Sequence, residues 1–168
     1  MKKVIIAALN EEGIIGNGNE IPWDIPENRK RFAQLTKDHP IIMGYRTFQS
    51  SLDKLPNLIY GRTSIILSKN HDDIKGYENV VIARSLEEAL KMGGLDARAR
   101  GVNEIYIAGG QQVYEQTLPI ADELDLTWVF GTFEGTKRFP EVNFEQWERT
   151  EREPHFTEGY CFEKYKRI

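Results

Sequence analysis

The sequence is poor in the residues that build disulfide frameworks and metal centres. Its one cysteine is Cys161, so no disulfide can form within the chain, which fits a reducing compartment. The three histidines, His39, His71 and His155, are scattered without the spacing of metal ligands, and we expect no metal. Cys161 lies in an apolar, strand-like run, which favours a packed side chain over a catalytic thiol.

Long apolar runs and charge of predominantly one sign are missing as well. The first apolar run, from Val4 to Leu9, is too short for the core of a signal peptide, and no other run approaches membrane-spanning length. The net charge is −4 with both signs interspersed, which argues against nucleic acid or a membrane surface as a partner. We therefore expect a cytoplasmic protein and take a monomer as the default.

What the sequence does contain is the pattern of an α/β protein. Its 168 residues, 40% hydrophobic and 29% charged, suit a single domain spanning residues 1–168. Strand-like and helix-like segments alternate, which predicts a mainly parallel sheet with helices on both faces. The segments Gln146–Glu151 and Gly159–Lys166 predict a closing antiparallel pair.

Four segments follow predicted strands, at the sheet edge where ligands of such folds collect. They are residues 10–28, 43–48, 68–70 and 108–113. Residues 10–24, rich in glycine and asparagine, predict a loop, and a helix is expected from Pro26 to about Thr36 with Asp24 as its cap. A second helix is expected from Gly44 through Leu52, and another over Ser85–Met92 with Ser85 as its cap.

The helix that begins at Pro26 carries a polar residue on its apolar stripe. Asn28, Phe32 and Leu35 fall at i, i+4 and i+7. Asn28 either satisfies a loop amide in the first turn or points into a ligand cleft. Glu27 and Arg31, at i and i+4, predict a solvated ion pair on another side.

Three short signals are compatible with phosphate binding, and each is weak alone. Gly44 leads from a strand into a helix that carries Arg46, an arrangement that can hold an anion. Ser68 and Lys69 end another strand, and the pair Gly109-Gly110 permits a close approach of the backbone to a ligand. Turn formation alone would explain each of them.

Together these segments resemble the dihydrofolate reductases. The shared motifs include Ala7-Ala8, Ile15-Gly16, Ile21-Pro22-Trp23, Ile42-Met43-Gly44, Thr47-Phe48, Leu55-Pro56, Arg62, Ile65–Ser68, Ile107–Gly110, Thr127 and Phe139-Pro140. They run in order through nearly the whole chain. The resemblance implies a three-layer α/β/α fold with a mixed, mainly parallel sheet, and hydride transfer from NADPH to C6 of 7,8-dihydrofolate.

The resemblance also implies roles for individual residues. The implied substrate pocket consists of Ile6, Ala8, Asn28, Phe32, Leu55, Arg62 and Thr127, with Arg62 holding the folate α-carboxylate. The implied catalytic group consists of Asn28, Ile21, Trp23 and Thr127. The implied NADPH site consists of Ala8, Ile15, Gly16, Gly44, Arg46, Thr47, Ser68, Lys69, Gly109, Gly110, Gln111, Gln112, Val113 and Tyr114.

Three positions depart from the family pattern. Asn28 stands where the family has Asp or Glu, Tyr45 where arginine is common, and the pair Gly135-Thr136 where a Gly-Asp pair is usual. The first departure threatens the chemistry of the reaction. The second threatens the choice of cofactor. The third changes a hydrogen bond to the lid, which is formed by residues 14–23.

Three alternatives therefore stay open. They are a reductase of a related pterin or pyrimidine, a non-catalytic binder of folate or NADPH, and an enzyme altered at Asn28 to trap a complex. Arg62 favours a substrate with a glutamate tail, because a pyrimidine substrate would not need it.

Overall fold

A mainly parallel sheet forms the centre of the computed structural model, which describes residues 1–74 and 76–168. Within those residues one sheet has eight strands in the order β5-β4-β3-β6-β1-β7-β10-β9. The strands of this sheet are β1 (Lys2–Leu9), β3 (Pro40–Gly44), β4 (Thr63–Leu67), β5 (Val80–Ala83), β6 (Glu104–Ile107), β7 (Glu123–Val129), β9 (Trp147–His155) and β10 (Tyr160–Arg167). The first six in spatial order are parallel, and β10 runs antiparallel to both β7 and β9.

Both faces of this sheet are covered, because its central strands are apolar on alternate sides. On β1, Val4 and Ile6 join one buried cluster, whereas Ile5 and Ala7 join the other. The helices are α1 (Pro26–Thr36), α2 (Tyr45–Lys54), α3 (Leu86–Arg100) and α4 (Gln111–Thr117). Helices α1 and α2 pack on the first cluster, α3 and α4 on the second, so the three-layer α/β/α prediction is confirmed.

Helix α3 is longer than predicted. Ser85 caps it as expected, accepting a hydrogen bond from the Glu88 amide, but the helix continues through Gly93 to Arg100. Gly93 belongs inside the helix because a Cβ there would lie 3.2 Å from the Ile105 side chain on β6. The glycine thus permits close packing on the sheet instead of ending the helix. None of the described helices is long and apolar enough to cross a membrane.

Residues 10–24 are not entirely loop. They contain the short strand β2 (Ile14–Gly16), which pairs antiparallel with β8 (Lys137–Arg138). This pairing joins segments more than a hundred residues apart, so no local pattern predicts it. The predicted cap of α1 was also wrong: the N-cap is Ile25, and Asp24 forms an exposed ion pair with Arg29.

The predicted solvated pair of Glu27 and Arg31 was wrong as well. Arg31 turns from α1 towards β7, where its Nη2 donates to Asp125 Oδ2 at 3.1 Å. The Asp125 side chain is 4% exposed, and the Arg31 guanidinium lies 4.7 Å from the centre of the Phe162 ring. A charged group faces the sheet here because the buried carboxylate on β7 provides its partner.

Candidate active site

A cleft of about 1440 Å³ opens at the carboxyl ends of the parallel strands. Ala8, Gly44 and Ser68 bring the ends of β1, β3 and β4 to it, as the position of the strand ends in such a sheet requires. Most of the residues selected from the sequence line this one cleft. They are Ile6, Ala8, Ile15, Gly16, Ile21, Trp23, Asn28, Phe32, Gly44, Arg46, Thr47, Leu55, Ser68, Lys69, Gly109, Gly110, Gln111, Gln112, Val113 and Tyr114.

Asn28 and Thr127 form a polar pair at the inner end of the cleft. Thr127 is 3% exposed and lies behind the cleft wall, and its Oγ1 donates to Asn28 Oδ1 at 2.8 Å. Asn28 itself lines the cleft. Of the two alternatives for Asn28, a polar group at a ligand cleft therefore fits the structure better than a partner for a loop amide. The pair is neutral, and one acceptor site of the amide oxygen is already used.

Arg62 lies just outside the cleft lining, 5% exposed. Its Nη1 donates to the carbonyls of Leu58 and Tyr60, and its Nη2 donates to Ala33 O at 3.0 Å. Its Nε is buried and has no hydrogen-bond partner among the described residues. Burial lowers the pKa of the Arg62 guanidinium, partly offset by Asp38. Both terminal nitrogens of Arg62 are thus bonded to backbone carbonyls of α1 and of the segment before β4.

The lid is held by the loop that precedes β8. The Gly18 amide donates to Thr136 Oγ1 at 2.8 Å, and the Thr136 amide donates to Gly16 O at 3.0 Å. Trp23 meets Phe133 edge to face, with 5.1 Å between ring centres. The lid contact at Thr136 therefore uses a neutral hydroxyl as its acceptor.

The Gly109-Gly110 turn also lines the cleft. The Gly44 amide donates to Gly109 O at 2.9 Å, and the two glycines are joined by a cis peptide bond. Gly109 has a φ of 108°, which favours glycine, and a Cβ on Gly110 would lie 3.1 Å from Thr47 Oγ1. The turn thus keeps two backbones close and leaves a cradle that a side chain would fill.

Tyr114 packs against that turn, and a Cβ on Gly109 would lie 3.2 Å from its ring. Its hydroxyl donates to Ile6 O at 2.8 Å, which ties α4 to β1. Burial raises the pKa of Tyr114, so the phenol stays protonated and acts as a donor. Cys161 is likewise buried, and burial raises the pKa of its thiol, in keeping with the predicted packing role.

Sequence reasoning missed two residues in the outer part of the cleft. His71 and Arg84 line it, next to the predicted segment 68–70. Arg84 follows β5, which runs parallel to β4, so its position could have been inferred from the parallel order of the strands. His71 gave no sequence signal beyond its position three residues after Ser68.

Comparisons with known proteins identify the fold and then the family. A solved dihydrofolate reductase from Enterococcus faecalis, complexed with NADP(H) and RAB-propyl, superposes with a TM-score of 0.78 at 29% sequence identity. The match covers 99% of this chain and 96% of that one, so the fold is that of a dihydrofolate reductase.

The sequence comparisons are equally extensive. The family model for dihydrofolate reductase matches residues 3–167. Dihydrofolate reductase HdrB of Haloferax volcanii is 34% identical over 164 residues, covering 98% of this chain and 82% of its own. The dihydrofolate reductase of Neisseria gonorrhoeae is 40% identical over 157 residues, covering 90% and 89%. The chain belongs to the dihydrofolate reductase family.

Proposed function

We propose that this chain reduces 7,8-dihydrofolate to 5,6,7,8-tetrahydrofolate with NADPH. The observation that carries the proposal is a single cleft that brings the two sets of residues expected to bind the two ligands to one space. Ile6 and Phe32 line it, and so do the Gly109-Gly110 turn and Lys69. Membership of the family supports the same reaction.

The residues present fit a phosphorylated dinucleotide. The absence of a side chain at Gly110 would let a ligand approach the backbone closely. Helix α2 begins at Tyr45 without a side-chain cap, so the N–H groups of its first turn have no partner within the helix and can bind an anion. Arg46, Ser68 and Lys69 add cations and a hydroxyl for phosphate oxygens. When bound, NADPH supplies the hydride, and the chain supplies position and exclusion of water.

The substrate end has a different task, which is to orient the ring and favour its protonation at N5. Ile6, Ala8 and Phe32 give it an apolar wall, and Ile21 and Trp23 cover it. The family resemblance assigns the tail carboxylate to Arg62, which lies just outside this lining. These roles follow from the family resemblance and the position of each residue around the cleft.

Asn28 limits what this end can do. A carboxylate would present about four acceptor sites, enough to accept from Thr127 and from the ring N3–H and 2-amino group together. The Asn28 oxygen already accepts from Thr127, and its amide nitrogen is a donor that would face ring donors. A neutral amide also adds no negative charge to favour a protonated ring. We therefore expect a low rate near neutral pH.

The same observation favours a second candidate, a reductase of a related pterin or pyrimidine. The Asn28 amide nitrogen suits a ring that presents an acceptor at this edge. A substrate of this kind without a glutamate tail would leave Arg62 unused.

Deuterium transfer tests the proposal directly. NADPH deuterated at the transferred C4 position should deliver its label to C6 of tetrahydrofolate when the protein and dihydrofolate are supplied together. A non-catalytic binder would retain the label on the nucleotide. Labelled product from another pterin or pyrimidine, with none from dihydrofolate, would establish the second candidate.

We further infer a monomer that acts in the cytoplasm without nucleic acid. The net charge of −4 offers little attraction to a polyanion. Sedimentation should give the single-chain mass of 19.4 kDa, with no change on addition of DNA or RNA.

A further inference from the structure

A small polar cluster, which we name the histidine wing, lies at the outer end of the cleft and consists of Tyr45, Ser68, His71 and Arg84. Ser68 Oγ and His71 Nδ1 are 2.7 Å apart, and the His71 amide donates to the same oxygen at 3.2 Å. The Tyr45 ring stacks on the imidazole with 3.6 Å between ring centres and 10° between planes. Neither Tyr45 nor His71 was given a ligand role on sequence grounds.

The surroundings hold the imidazole in this orientation. Arg84 Nη1 donates to Ser68 O at 3.1 Å and to His71 O at 3.0 Å, which fixes the backbone on both sides of the pair. The Tyr45 hydroxyl donates to Asp73, which fixes the stacked ring. Ser68 is 7% exposed, so few water molecules can compete for its hydroxyl group.

The bond between Ser68 and His71 reverses direction when the imidazole takes up a proton. In the neutral tautomer that carries its proton on Nε2, Nδ1 is an acceptor, and the Ser68 hydroxyl 2.7 Å away donates to it. In a protonated ring both nitrogens are donors, so Nδ1 donates to Ser68 Oγ. The hydroxyl hydrogen is then released from the histidine and can turn to a ligand in the cleft.

Protonation therefore makes two changes that favour the same ligand. It adds a positive charge to the wing, and it frees a hydroxyl donor beside that charge. Both favour a phosphate dianion over a hydroxyl. We propose that His71 determines specificity for the 2′-phosphorylated cofactor and makes that specificity depend on its protonation. The inference rests on the proposed NADPH-dependent function and concerns its cofactor site alone.

Charged groups of both signs surround His71. Lys69, Arg46 and Arg84 supply fixed positive charge. Asp72 and Asp73 supply negative charge and bind Arg84 and the Tyr45 hydroxyl respectively. A phosphate monoester gains a proton near pH 6, which weakens its binding and works against the effect of His71.

Calorimetric binding of two small probes separates these contributions without any hydride transfer. Adenosine 2′,5′-bisphosphate carries the extra phosphate, and AMP lacks it. For the unaltered protein, the ratio of the two Kd values should change about fivefold in favour of the bisphosphate between about pH 8 and pH 6.5. His71→Gln should abolish that rise, and the matched variant His155→Gln, outside the cleft, should retain it.

Ser68→Ala tests the released hydroxyl. It should remove part of the rise, and its effect should not add to that of His71→Gln because both act through one hydrogen bond. A ratio that does not change with pH in the unaltered protein, or an equal rise in His71→Gln, would overturn the inference. Tight bisphosphate binding with either result would leave the reductase proposal standing, whereas no discrimination at any pH would count against both.

Discussion

The two ends of the cleft differ in polarity and charge. The inner end is apolar, and its polar pair, Asn28 and Thr127, is neutral and fixed by one hydrogen bond. The outer end is open and charged, with Lys69 exposed and Arg84 half-buried among polar neighbours. The residues for binding an anionic cofactor are therefore present, whereas Asn28, the side chain nearest the expected ring, carries no charge to favour its protonation. Cofactor binding and chemistry should therefore respond to separate substitutions.

The largest expected effect comes from restoring charge at the inner end. Asn28→Asp should raise the rate of dihydrofolate reduction at neutral pH by roughly 10²–10⁴-fold, the usual contribution of positioned acid–base help. That corresponds to about 3–5 kcal/mol of barrier. Steady-state NADPH oxidation measures it. Asn28→Ser, which is polar but uncharged, serves as the control and should give no such gain.

The next effect concerns the junction of α1 and β7 that positions Asn28. Asp125→Ala removes one partner of the Arg31–Asp125 pair, and loss of one member of a buried pair costs roughly 3–5 kcal/mol. Because the Arg31 side chain keeps 20% exposure, we expect the free energy of unfolding to fall by about 2–3 kcal/mol, as measured by urea denaturation.

The double variant Arg31→Met with Asp125→Leu should recover most of that loss, because no charge is left without a partner. A single variant as stable as the unaltered protein would show that the pair does not stabilise this junction. In that case the placement of Asn28 would depend on the apolar contacts of α1 alone.

A smaller effect is expected at the substrate tail. Arg62→Lys keeps the charge but loses the planar fork, so dihydrofolate binding should weaken about tenfold. A pterin without a glutamate tail should bind both proteins alike. Equal weakening of the two substrates would show that Arg62 acts only through the carbonyls of Leu58, Tyr60 and Ala33.

The smallest effect is expected at the exposed outer end. Lys69→Ala should weaken NADPH binding by about threefold to tenfold and leave NADH nearly unchanged, because exposed charge pairs contribute little. Lys91→Ala, on α3 and outside the cleft lining, should affect neither cofactor. Equal losses for both cofactors in Lys69→Ala would place Lys69 away from the 2′-phosphate.

The sequence was sufficient for the order of elements and for most of the cleft, because parallel strands place their carboxyl ends at one edge. Gly44, Ser68 and Gly109 could be brought together on that rule alone. The sequence was insufficient where a contact depends on distant residues. Arg31 and Asp125 are 94 positions apart, so a local helix pattern predicted the wrong partner for Arg31.

Close packing explains the other errors. The predicted helix ended at Met92, before Gly93, because glycine disfavours helices. Gly93 nevertheless lies within α3, where Ile105 leaves no room for a side chain. The histidine wing was missed because stacking of Tyr45 on His71 depends on how two separate segments meet.

The central claim is that this chain is a dihydrofolate reductase limited by a neutral amide at Asn28. The direct measurement is NADPH oxidation with dihydrofolate, from acidic to mildly alkaline pH, for the unaltered protein and for Asn28→Asp. We predict a rate that is low at neutral pH and climbs as the medium becomes acidic enough to protonate free substrate, with aspartate raising the neutral rate. A fast neutral rate that aspartate does not improve would contradict the account.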